Sequence, residues 1–184
     1  MNDAVGSEKT AIAELMAHSK QSQNAGTRIG VISDTHGLLR PEAVQALTGA
    51  ALILHAGDIG KPEVLQGLQA IGPTIAVRGN NDKDSWAAAI PAQATVTIEN
   101  VSIHLLHILK DLTIDPKQTG IQIVISGHSH KPLIEERGGI LFLNPGSAGP
   151  RRFKLPISVA QIQIDHTATQ AEIIELEIET RTGS

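Results

Sequence analysis

Residues that commonly bind metal ions recur in five short clusters along this chain of 184 residues. The clusters are Asp34-Thr35-His36, Gly57-Asp58, Gly79-Asn80-Asn81-Asp82, His107 and Gly127-His128-Ser129-His130. Their carboxylate, amide and imidazole groups suit Mn²⁺, Fe, Co²⁺, Zn²⁺ or Ni²⁺ better than Ca²⁺, which prefers oxygen ligands alone. The chain has no cysteine, so thiolate ligands, disulfides and a cysteine nucleophile are excluded.

Seven of these side chains are candidate ligands, which is too many for a single cation. They are Asp34, His36, Asp58, Asn80, His107, His128 and His130. One carboxylate can bridge two cations that lie ~3.5–4 Å apart. We therefore predict two adjacent divalent metal ions, with Mn²⁺ as the first choice and Fe, Zn²⁺, Co²⁺ or Ni²⁺ as alternatives.

A short apolar run precedes each cluster, and each run has the length and composition of a buried strand. The runs span residues 29–33, 51–54, 74–77, 101–106 and 121–125. In open α/β sheets, ligands bind beyond the carboxyl ends of the strands. We therefore expect five loops to converge at one edge, where glycines beside Asp58, Asn80 and His128 permit sharp turns.

The remaining elements indicate two sheets with helices outside them. Helices are predicted from Pro41 and from about Pro62, because proline is tolerated in the first helical turn. Strands that alternate with these helices indicate a mostly parallel sheet. Beyond Pro91 the pattern predicts a hairpin around Asn100, another around Gly138-Gly139, and strands at 157–164 and 171–178.

The composition describes a globular domain with an aliphatic core, since 41% of the residues are hydrophobic and only 2% are aromatic. A formal net charge of −4 offers no basic surface for nucleic acid. No apolar run approaches the ~18 residues of a membrane span, and the N-terminus lacks the apolar region of a signal peptide. We therefore expect a cytoplasmic protein without nucleic-acid or membrane partners, for which a homo-oligomer is one option.

The first 26 residues are predicted to be a polar extension ahead of a domain that spans residues 27–184. Ile12, Leu15 and Met16 have helical spacing, so a short amphipathic helix fits this extension. It contains no candidate ligand, and we therefore expect it to have no catalytic role.

In their order along the chain, the five clusters resemble the signature of the calcineurin-like metallophosphoesterases. The run Asn144-Pro145-Gly146-Ser147 resembles a further signature of the small, single-domain phosphodiesterase branch of that family. The resemblance covers about residues 28 to 178. It implies an α/β fold, a four-layer αββα sandwich of two mixed sheets flanked by helices.

The resemblance also implies which residues hold each metal ion. The first ion would be held by Asp34, His36, Asp58 and His130, and the second by Asp58, Asn80, His107 and His128. Asp58 would bridge the two ions. Asp58, Asn80 and His107 are in addition the predicted catalytic residues.

Hydrolysis of a small phosphoester is the predicted function, with phosphodiesters as the first choice and phosphomonoesters as the second. Two cations lower the pKa of a bridging water and neutralise the phosphoryl oxygens, so that hydroxide attacks phosphorus in line. Two positions depart from the family pattern. Asn81 stands where the phosphatases usually have a histidine that protonates the leaving group, and Ile108 stands where the family usually has glycine.

Competing interpretations exist for several residues. Asp34 and Asp58 are also good turn and helix-cap residues, and His55 fits a packed histidine inside an apolar stretch. His104 competes with His107, but His107 shares strand parity with Val101, Ile103 and Leu105 and ends the strand. His18 and His166 are interpreted as solvated, and Arg151 as a candidate contact to a substrate phosphate.

The rival function for the whole chain is that of a scaffold. The retromer subunit of this fold mainly binds other proteins, and such a protein needs its metal site only weakly. The complete set of candidate ligands favours the enzyme, because a scaffold is free to lose them.

Overall fold

The computed structural model describes residues 26–165 and 168–178. Its strands are β1 (Thr27–Ile32), β2 (Leu52–His55), β3 (Thr74–Ala76), β4 (Gln93–Ile98), β5 (Val101–Leu106), β6 (Ile123–Ile125), β7 (Leu133–Arg137), β8 (Ile140–Asn144), β9 (Ser158–Ile164) and β10 (Thr169–Glu175). Its α-helices are α1 (Pro41–Leu47) and α2 (Pro62–Gln69), and two 3₁₀ helices span Ser85–Ala89 and Leu109–Asp111. Residues 1–25 of the predicted extension lie outside this part of the chain, as do His18 and His166.

The strands form two mixed sheets of five strands each, which confirms the predicted fold class. Sheet A has the order β10-β9-β1-β2-β3, and sheet B has the order β4-β5-β6-β8-β7. Each sheet contains three neighbouring parallel strands, β1-β2-β3 in sheet A and β5-β6-β8 in sheet B. The remaining strands, β9 and β10 in sheet A and β4 and β7 in sheet B, pair in an antiparallel manner. The parallel strands of each sheet therefore end at the same edge.

Aliphatic side chains fill the space between the two sheets. Ile29, Val31 and Leu54 of sheet A belong to the same buried cluster as Ile103 and Ile125 of sheet B. Each of these side chains is fully buried, and burial of such a side chain stabilises a fold by roughly 1.5–3 kcal/mol. This core holds the two sheets face to face, so that their strand ends approach each other.

Both α-helices of the described residues pack on the outer face of sheet A. Each begins at a proline, which cannot donate a backbone hydrogen bond and therefore suits the first helical turn. Leu47 of α1 and Leu68 of α2 are buried against Ile53 of the sheet. The helices thus cover one side of the sandwich and support the loops that follow β1 and β2.

The outer face of sheet B is covered differently. Leu106, Val124 and Phe142 pack there against Leu109 and Leu112 from the segment between β5 and β6. That segment forms only a 3₁₀ helix and irregular turns, so no α-helix among the described residues lies over this face. None of the helices in the described residues is long and apolar enough to cross a membrane.

The structure shifts two of the predicted strands. The last strand spans Thr169–Glu175 rather than 171–178, although the Leu176 N–H still donates to the Ile157 carbonyl in register with the sheet, and the Leu176 side chain is buried beside the helices. Strand β6 begins at Ile123 rather than 121, because the Ile121 N–H donates to Pro116 in the preceding turn. At the end of β10 and ahead of β6, the alternating apolar residues extend beyond the strand itself. Apolar side chains are also buried outside the sheet, so the pattern alone does not mark the strand's limits.

Candidate metal centre

Five loops at the carboxyl ends of parallel strands meet where the edges of the two sheets face each other. The loops follow β1 (residues 34–36), β2 (57–58), β3 (79–80), β5 (107) and β6 (127–130). Sheet A supplies the first three loops and sheet B the last two. All seven side chains that the sequence predicted as ligands lie on these loops.

Asp34, His36 and His130 form one group that can hold a cation, because their donor atoms lie within 4.8 Å of one another. His130 Nε2 is 3.2 Å from Asp34 Oδ1, and His36 Nε2 is 3.9 Å from the same oxygen. The two imidazole Nε2 atoms are 3.3 Å apart, and their rings stack. Two nitrogens and a carboxylate oxygen therefore converge on one point.

Asp34, Asp58 and His107 form a second such group. Asp58 Oδ2 is 3.4 Å from His107 Nε2 and 3.9 Å from His36 Nε2. Asp34 is thus common to both groups, while Asp58 lies between a histidine of each. Two neighbouring cation positions with a shared carboxylate fit this arrangement.

Asn80 and His128 lie on the exposed side of the centre. His128 Nδ1 is 3.0 Å from Asn80 Oδ1, and the His128 ring meets the His107 ring edge to face, with centroids 5.3 Å apart. The His107 Nδ1–H donates to the Ala56 carbonyl over 2.7 Å, which turns Nε2 towards Asp58. These contacts place the Asn80 amide and a fourth imidazole beside the other candidate ligands.

The arrangement of the donor atoms suits a bound cation better than direct hydrogen bonds between the side chains. Among the described residues, Asp34 Oδ1 and His107 Nε2 are buried and have no hydrogen-bond partner. Buried polar atoms in proteins nearly always have a partner. A divalent cation is a partner that an ionised carboxylate and a neutral imidazole share, and its chemistry matches this mixed oxygen and nitrogen set.

The surroundings of Asp34 and Asp58 favour the ionised form of both carboxylates. Burial by itself raises the pKa of Asp58, but the His107 imidazole and the Asn81 amides outweigh it and hold that pKa well below its usual range. Burial also raises the pKa of Asp34, and His130 and Ser33 reverse the effect, so that this pKa is lowered too. Burial lowers the pKa of His107, but the two carboxylates raise it overall. Negative charge is therefore concentrated where cations would bind.

Backbone strain also concentrates at this centre. Seven non-glycine residues of the described chain have positive φ, and five of them are predicted ligands. These five are Asp34 (54°), His36 (47°), Asp58 (54°), His128 (68°) and His130 (57°). Such conformations cost of order 1–3 kcal/mol each and persist where the surroundings over-determine them, commonly at functional sites.

Glycines allow the loops to approach one another closely. A Cβ atom on Gly79 would lie 2.1 Å from Asp58 Oδ1, and a Cβ atom on Gly127 would lie 2.0 Å from Ser33 Oγ. Both distances are far below van der Waals contact. Glycine is therefore required at both positions if the carboxylates of Asp34 and Asp58 are to keep their places.

Asp82 ties two of the loops together, a role that its place in the sequence motif did not indicate. Its buried carboxylate accepts hydrogen bonds from the backbone N–H groups of Ile59, Gly60 and Gly79 over 3.1, 2.8 and 2.8 Å. Asn81 then holds Asp58 directly, through its backbone N–H at 2.9 Å and its side-chain amide at 2.5 Å. In the sequence, the feature that points to these roles is the pair of polar residues, Asn81 and Asp82, directly after the candidate ligand Asn80.

The loop that begins at Asn144 supports the opposite side. The Asn144 amide donates to the Gly127 carbonyl over 2.7 Å and thereby anchors the loop of His128 and His130. The Ser147 hydroxyl donates to the Asp34 backbone carbonyl over 2.9 Å. The Asn-Pro-Gly-Ser run therefore acts through hydrogen bonds that position two ligand loops.

His55 is a packed histidine, as the sequence suggested, and it also joins two ligand loops. Its Nε2–H donates to Thr35 Oγ1 over 3.0 Å, while the Thr35 hydroxyl donates to the Ile59 carbonyl over 2.9 Å. Its Nδ1 accepts the Gly57 N–H over 3.1 Å. Full burial lowers the pKa of His55 to about 4, so the ring is neutral.

Other candidate residues lie away from the centre or beside it. His104 is on the outer face of sheet B, where Thr95 Oγ1 and Gln93 Oε1 contact its ring nitrogens over 2.9 and 3.1 Å. His107, with the opposite parity, faces the carboxylates. Ile108 has φ −104° and ψ 112°, which any residue adopts, so its position does not require glycine. Arg151 is exposed.

Comparisons with known proteins agree with this geometry. The family described as the calcineurin-like phosphoesterase superfamily domain matches residues 27–167. A probable metallophosphoesterase of Methanothermobacter thermautotrophicus is 37% identical over 168 residues, which cover 85% of this chain and 93% of that protein.

Two solved structures show the same fold. An archaeal phosphodiesterase aligns with a TM-score of 0.67 at 22% identity, covering 80% of this chain and all of its own. Wild-type Vps29 of Entamoeba histolytica in complex with Zn²⁺ aligns with a TM-score of 0.61 at 22% identity, covering 81% of this chain and 99% of its own. At these identities, the likeness establishes the architecture and leaves the activity open.

Proposed function

Because the chain belongs to the calcineurin-like phosphoesterase superfamily, we propose that it is a phosphodiesterase that uses two divalent metal ions. Membership of this superfamily supports a phosphoester hydrolase, and the candidate ligand groups agree with metal binding. The number of ions, their identity and the preference for diesters are the parts that we propose here.

The convergence of seven candidate ligands at one edge supports a binuclear centre. The two groups of donor atoms share Asp34, and Asp58 Oδ2 lies 3.9 Å from His36 Nε2 and 3.4 Å from His107 Nε2. We assign the first ion to Asp34, His36, Asp58 and His130, and the second to Asp58, Asn80, His107 and His128. Mn²⁺ is the first choice, because mixed oxygen and imidazole ligands suit it.

Two bound cations would supply a hydroxide nucleophile at neutral pH and neutralise charge on the phosphoryl oxygens. The residues of the chain provide the setting for that chemistry. Asp58, 2% exposed, is kept ionised by its neighbours, and the bond from Asn81 fixes its orientation. Asn80 and His128 are exposed, so the substrate approaches from their side.

The preference for diesters rests on the resemblance of the Asn-Pro-Gly-Ser run to the small phosphodiesterase branch, which also commonly lacks a histidine at the position of Asn81. The Asn81 amide is committed to Asp58 and cannot donate a proton to a leaving oxygen near neutral pH. We therefore expect good leaving groups to be favoured in diesters and monoesters alike. Asp58, Asn80 and His107 are the residues that we propose to contact the reacting phosphate or to hold the ions that do.

Metal add-back tests this proposal. The chelator-treated protein is mixed with each divalent cation, and hydrolysis of bis(p-nitrophenyl) phosphate and p-nitrophenyl phosphate is followed. We expect activity to return with Mn²⁺ as two ions bind per chain, and the diester to be hydrolysed faster. Full activity with one ion, or with none, would contradict the binuclear assignment.

A scaffold is the second candidate, because Vps29 proteins share this fold. The same add-back experiment separates the two. A scaffold would bind metal without hydrolysing any ester in a panel of diesters and monoesters. The retention of all seven candidate ligands, together with the unpartnered Asp34 Oδ1 and His107 Nε2, favours the enzyme.

The remaining expectations are part of the same proposal. They are a cytoplasmic location, a small phosphoester as substrate, no membrane partner and, as one option, assembly into a homo-oligomer. Fractionation of cells and light scattering of the purified chain measure the first and the last. A net charge of −4 supports the expectation that nucleic acid is not a partner.

A further inference from the structure

A cavity of about 550 Å³ lies beside the candidate metal centre, on the outer face of sheet B. Its walls are the segment after His107 on one side and strands β7 and β8 on the other. A cavity of this size is in the range that holds small organic ligands, which is ~300–1,000 Å³. It is therefore large enough for a substantial part of a substrate.

The lining of this cavity is mainly apolar. Leu109, Leu133 and Phe142 contribute side chains to it, together with Ile108. The polar Asn144 also borders it, but its amide donates to the Gly127 carbonyl and to Ser129 Oγ over 2.7 and 3.1 Å. The described lining thus offers apolar surface and few free hydrogen-bonding groups, which favours an apolar occupant.

The cavity borders the candidate metal centre at His128. His128 lines it and at the same time contacts Asn80 through its Nδ1 atom. Exposed Lys110 and Lys131 also border the cavity and provide positive charge near its opening. A ligand here would therefore have its apolar part in the cavity and an anionic group towards the centre.

A second cavity of about 180 Å³ lies on the other side of Ile108. Its lining is mixed, because Arg78, Asn80 and Asp111 border it together with apolar Leu106 and Ile108. Ile108 borders both cavities. The larger cavity is the more apolar of the two and has about three times the volume, so it is the better site for a bulky apolar group.

We propose that the larger cavity binds a bulky apolar ester group of the substrate, so that the substrate class is phosphodiesters with an alkyl or aryl arm. This inference rests on the proposed function, because it places the phosphate at the metal centre. Leu133 and Leu109 then contribute to specificity through contact with that arm. Burial of each methylene group is worth ≈0.8 kcal/mol, which corresponds to ~4-fold in affinity.

Binding of n-alkylphosphonates to the Mn²⁺-loaded full chain tests the inference. Calorimetry measures Kd from methyl- to hexylphosphonate, and inhibition of diester hydrolysis measures Ki for the same series. We expect affinity to rise by up to ~4-fold for each added methylene group. We expect Leu133→Ala to reduce this rise while leaving the affinity for methylphosphonate unchanged.

Ile134→Ala is the matched control, because Ile134 is the next residue of β7 and does not line the cavity. The two side chains are equally exposed, at 37% for Leu133 and 38% for Ile134. Only the Leu133 variant should change the dependence on chain length. Equal effects of both variants would overturn the assignment.

The outcomes separate this inference from the proposed function. Diester hydrolysis with flat affinities along the series would overturn the inference alone. Chain-length dependence without any hydrolysis would contradict the phosphodiesterase and leave an apolar binding site. Dependence that appears only after removal of residues 1–25 would assign the cavity to that segment of the chain and overturn its substrate role.

Discussion

Sheets A and B contribute different kinds of ligand to the same edge. The oxygen ligands proposed for the two ions, Asp34, Asp58 and Asn80, all follow strands of sheet A. Sheet B provides only imidazoles, from His107, His128 and His130, and sheet A adds the imidazole of His36. Negative charge is thus confined to one half of the centre. The other half can bind a cation without adding to the repulsion between carboxylates.

The two halves also differ in how firmly their loops are held. In sheet A, Asp82, Asn81 and His55 connect the loops of Asp34, Asp58 and Asn80 by hydrogen bonds. In sheet B, the loop of His128 and His130 is held by Asn144 and by the bond from the His128 N–H to Asp34 Oδ2. Buried carboxylates require such support, because any unpaired buried charge is costly. An imidazole that binds a metal ion is neutral and requires less support.

The outer faces of the sheets follow the same division. Two α-helices cover sheet A, whereas sheet B carries a 3₁₀ helix and an open apolar cavity in the described part of the chain. Sheet A therefore supplies all the carboxylate ligands, whereas the outer face of sheet B is the side suited to receive the substrate.

Replacement of the proposed bridging ligand, Asp58, should have the largest effect on activity and metal content. Asp58→Asn should lower kcat/KM by at least ~10³-fold, since a neutral amide bridges two cations poorly and several kcal/mol of electrostatic stabilisation are lost. His128→Gln, from the exposed side of the sheet B half, should cost less. Metal content and kinetics of both variants measure the difference. Two bound ions and near-normal turnover in Asp58→Asn would refute the bridging role.

Loss of a supporting residue should have the next largest effect. Asp82→Asn replaces one of the two carboxylate oxygens that accept three backbone hydrogen bonds by an NH₂ donor, and it should weaken Mn²⁺ binding by ~10–100-fold, the usual range for residues behind the ligands. Asn144→Asp should weaken Mn²⁺ binding less, because the loop that Asn144 anchors carries His128 and His130 but no carboxylate ligand. Calorimetric Kd values for Mn²⁺ provide the comparison. Asp84→Asn is the control, since Asp84 is exposed and makes no cap hydrogen bond.

Stability should depend on pH through the buried histidine of sheet A. The pKa of His55 is lowered from 6.5 to about 4 by burial, so the unfolded chain takes up a proton first as the pH falls. His55 by itself should therefore lower the free energy of unfolding by roughly 1 kcal/mol per pH unit as the pH falls from 6 to 5. Urea unfolding of the metal-free protein measures this slope.

A matched pair of variants isolates that contribution. His55→Gln should reduce the slope between pH 6 and 5. His104→Gln should reduce it less, because His104 lies on the outer face of sheet B and is less deeply buried, although burial lowers its pKa as well. An equal change in slope for the two variants would show that the histidines of both halves contribute alike.

The smallest expected effect concerns the proton for the leaving group. Asn81→His should speed diesters with poor leaving groups by less than the ~10²-fold that a well-placed general acid provides. It also removes the amide that donates to Asp58, so aryl esters should gain nothing. Rates for a series of graded leaving-group pKa measure the slope in both proteins. If the wild type already shows a flat slope, another residue supplies the proton.

Local patterns determined the order and the type of most elements. Prolines at positions 41 and 62 mark helix starts because they fit the first turn, and alternating residues on 94–105 mark a hairpin. The same patterns placed polar clusters directly after apolar strands, and parity favoured His107 over His104. Those features are local, since the chain's covalent geometry fixes strand parity. The identity of the bound ions and the roles of the ligands remain predictions.

Contacts between distant segments decided the rest. No spacing in the sequence indicates that Asp82 would accept bonds from Gly60, that His55 would reach Thr35, or that Asn144 would hold the loop of His128. The cavity beside His128 likewise arises where the segment after β5 fails to cover sheet B. Such features depend on how two sheets pack, and packing is a property of surfaces that residues far apart in sequence form together.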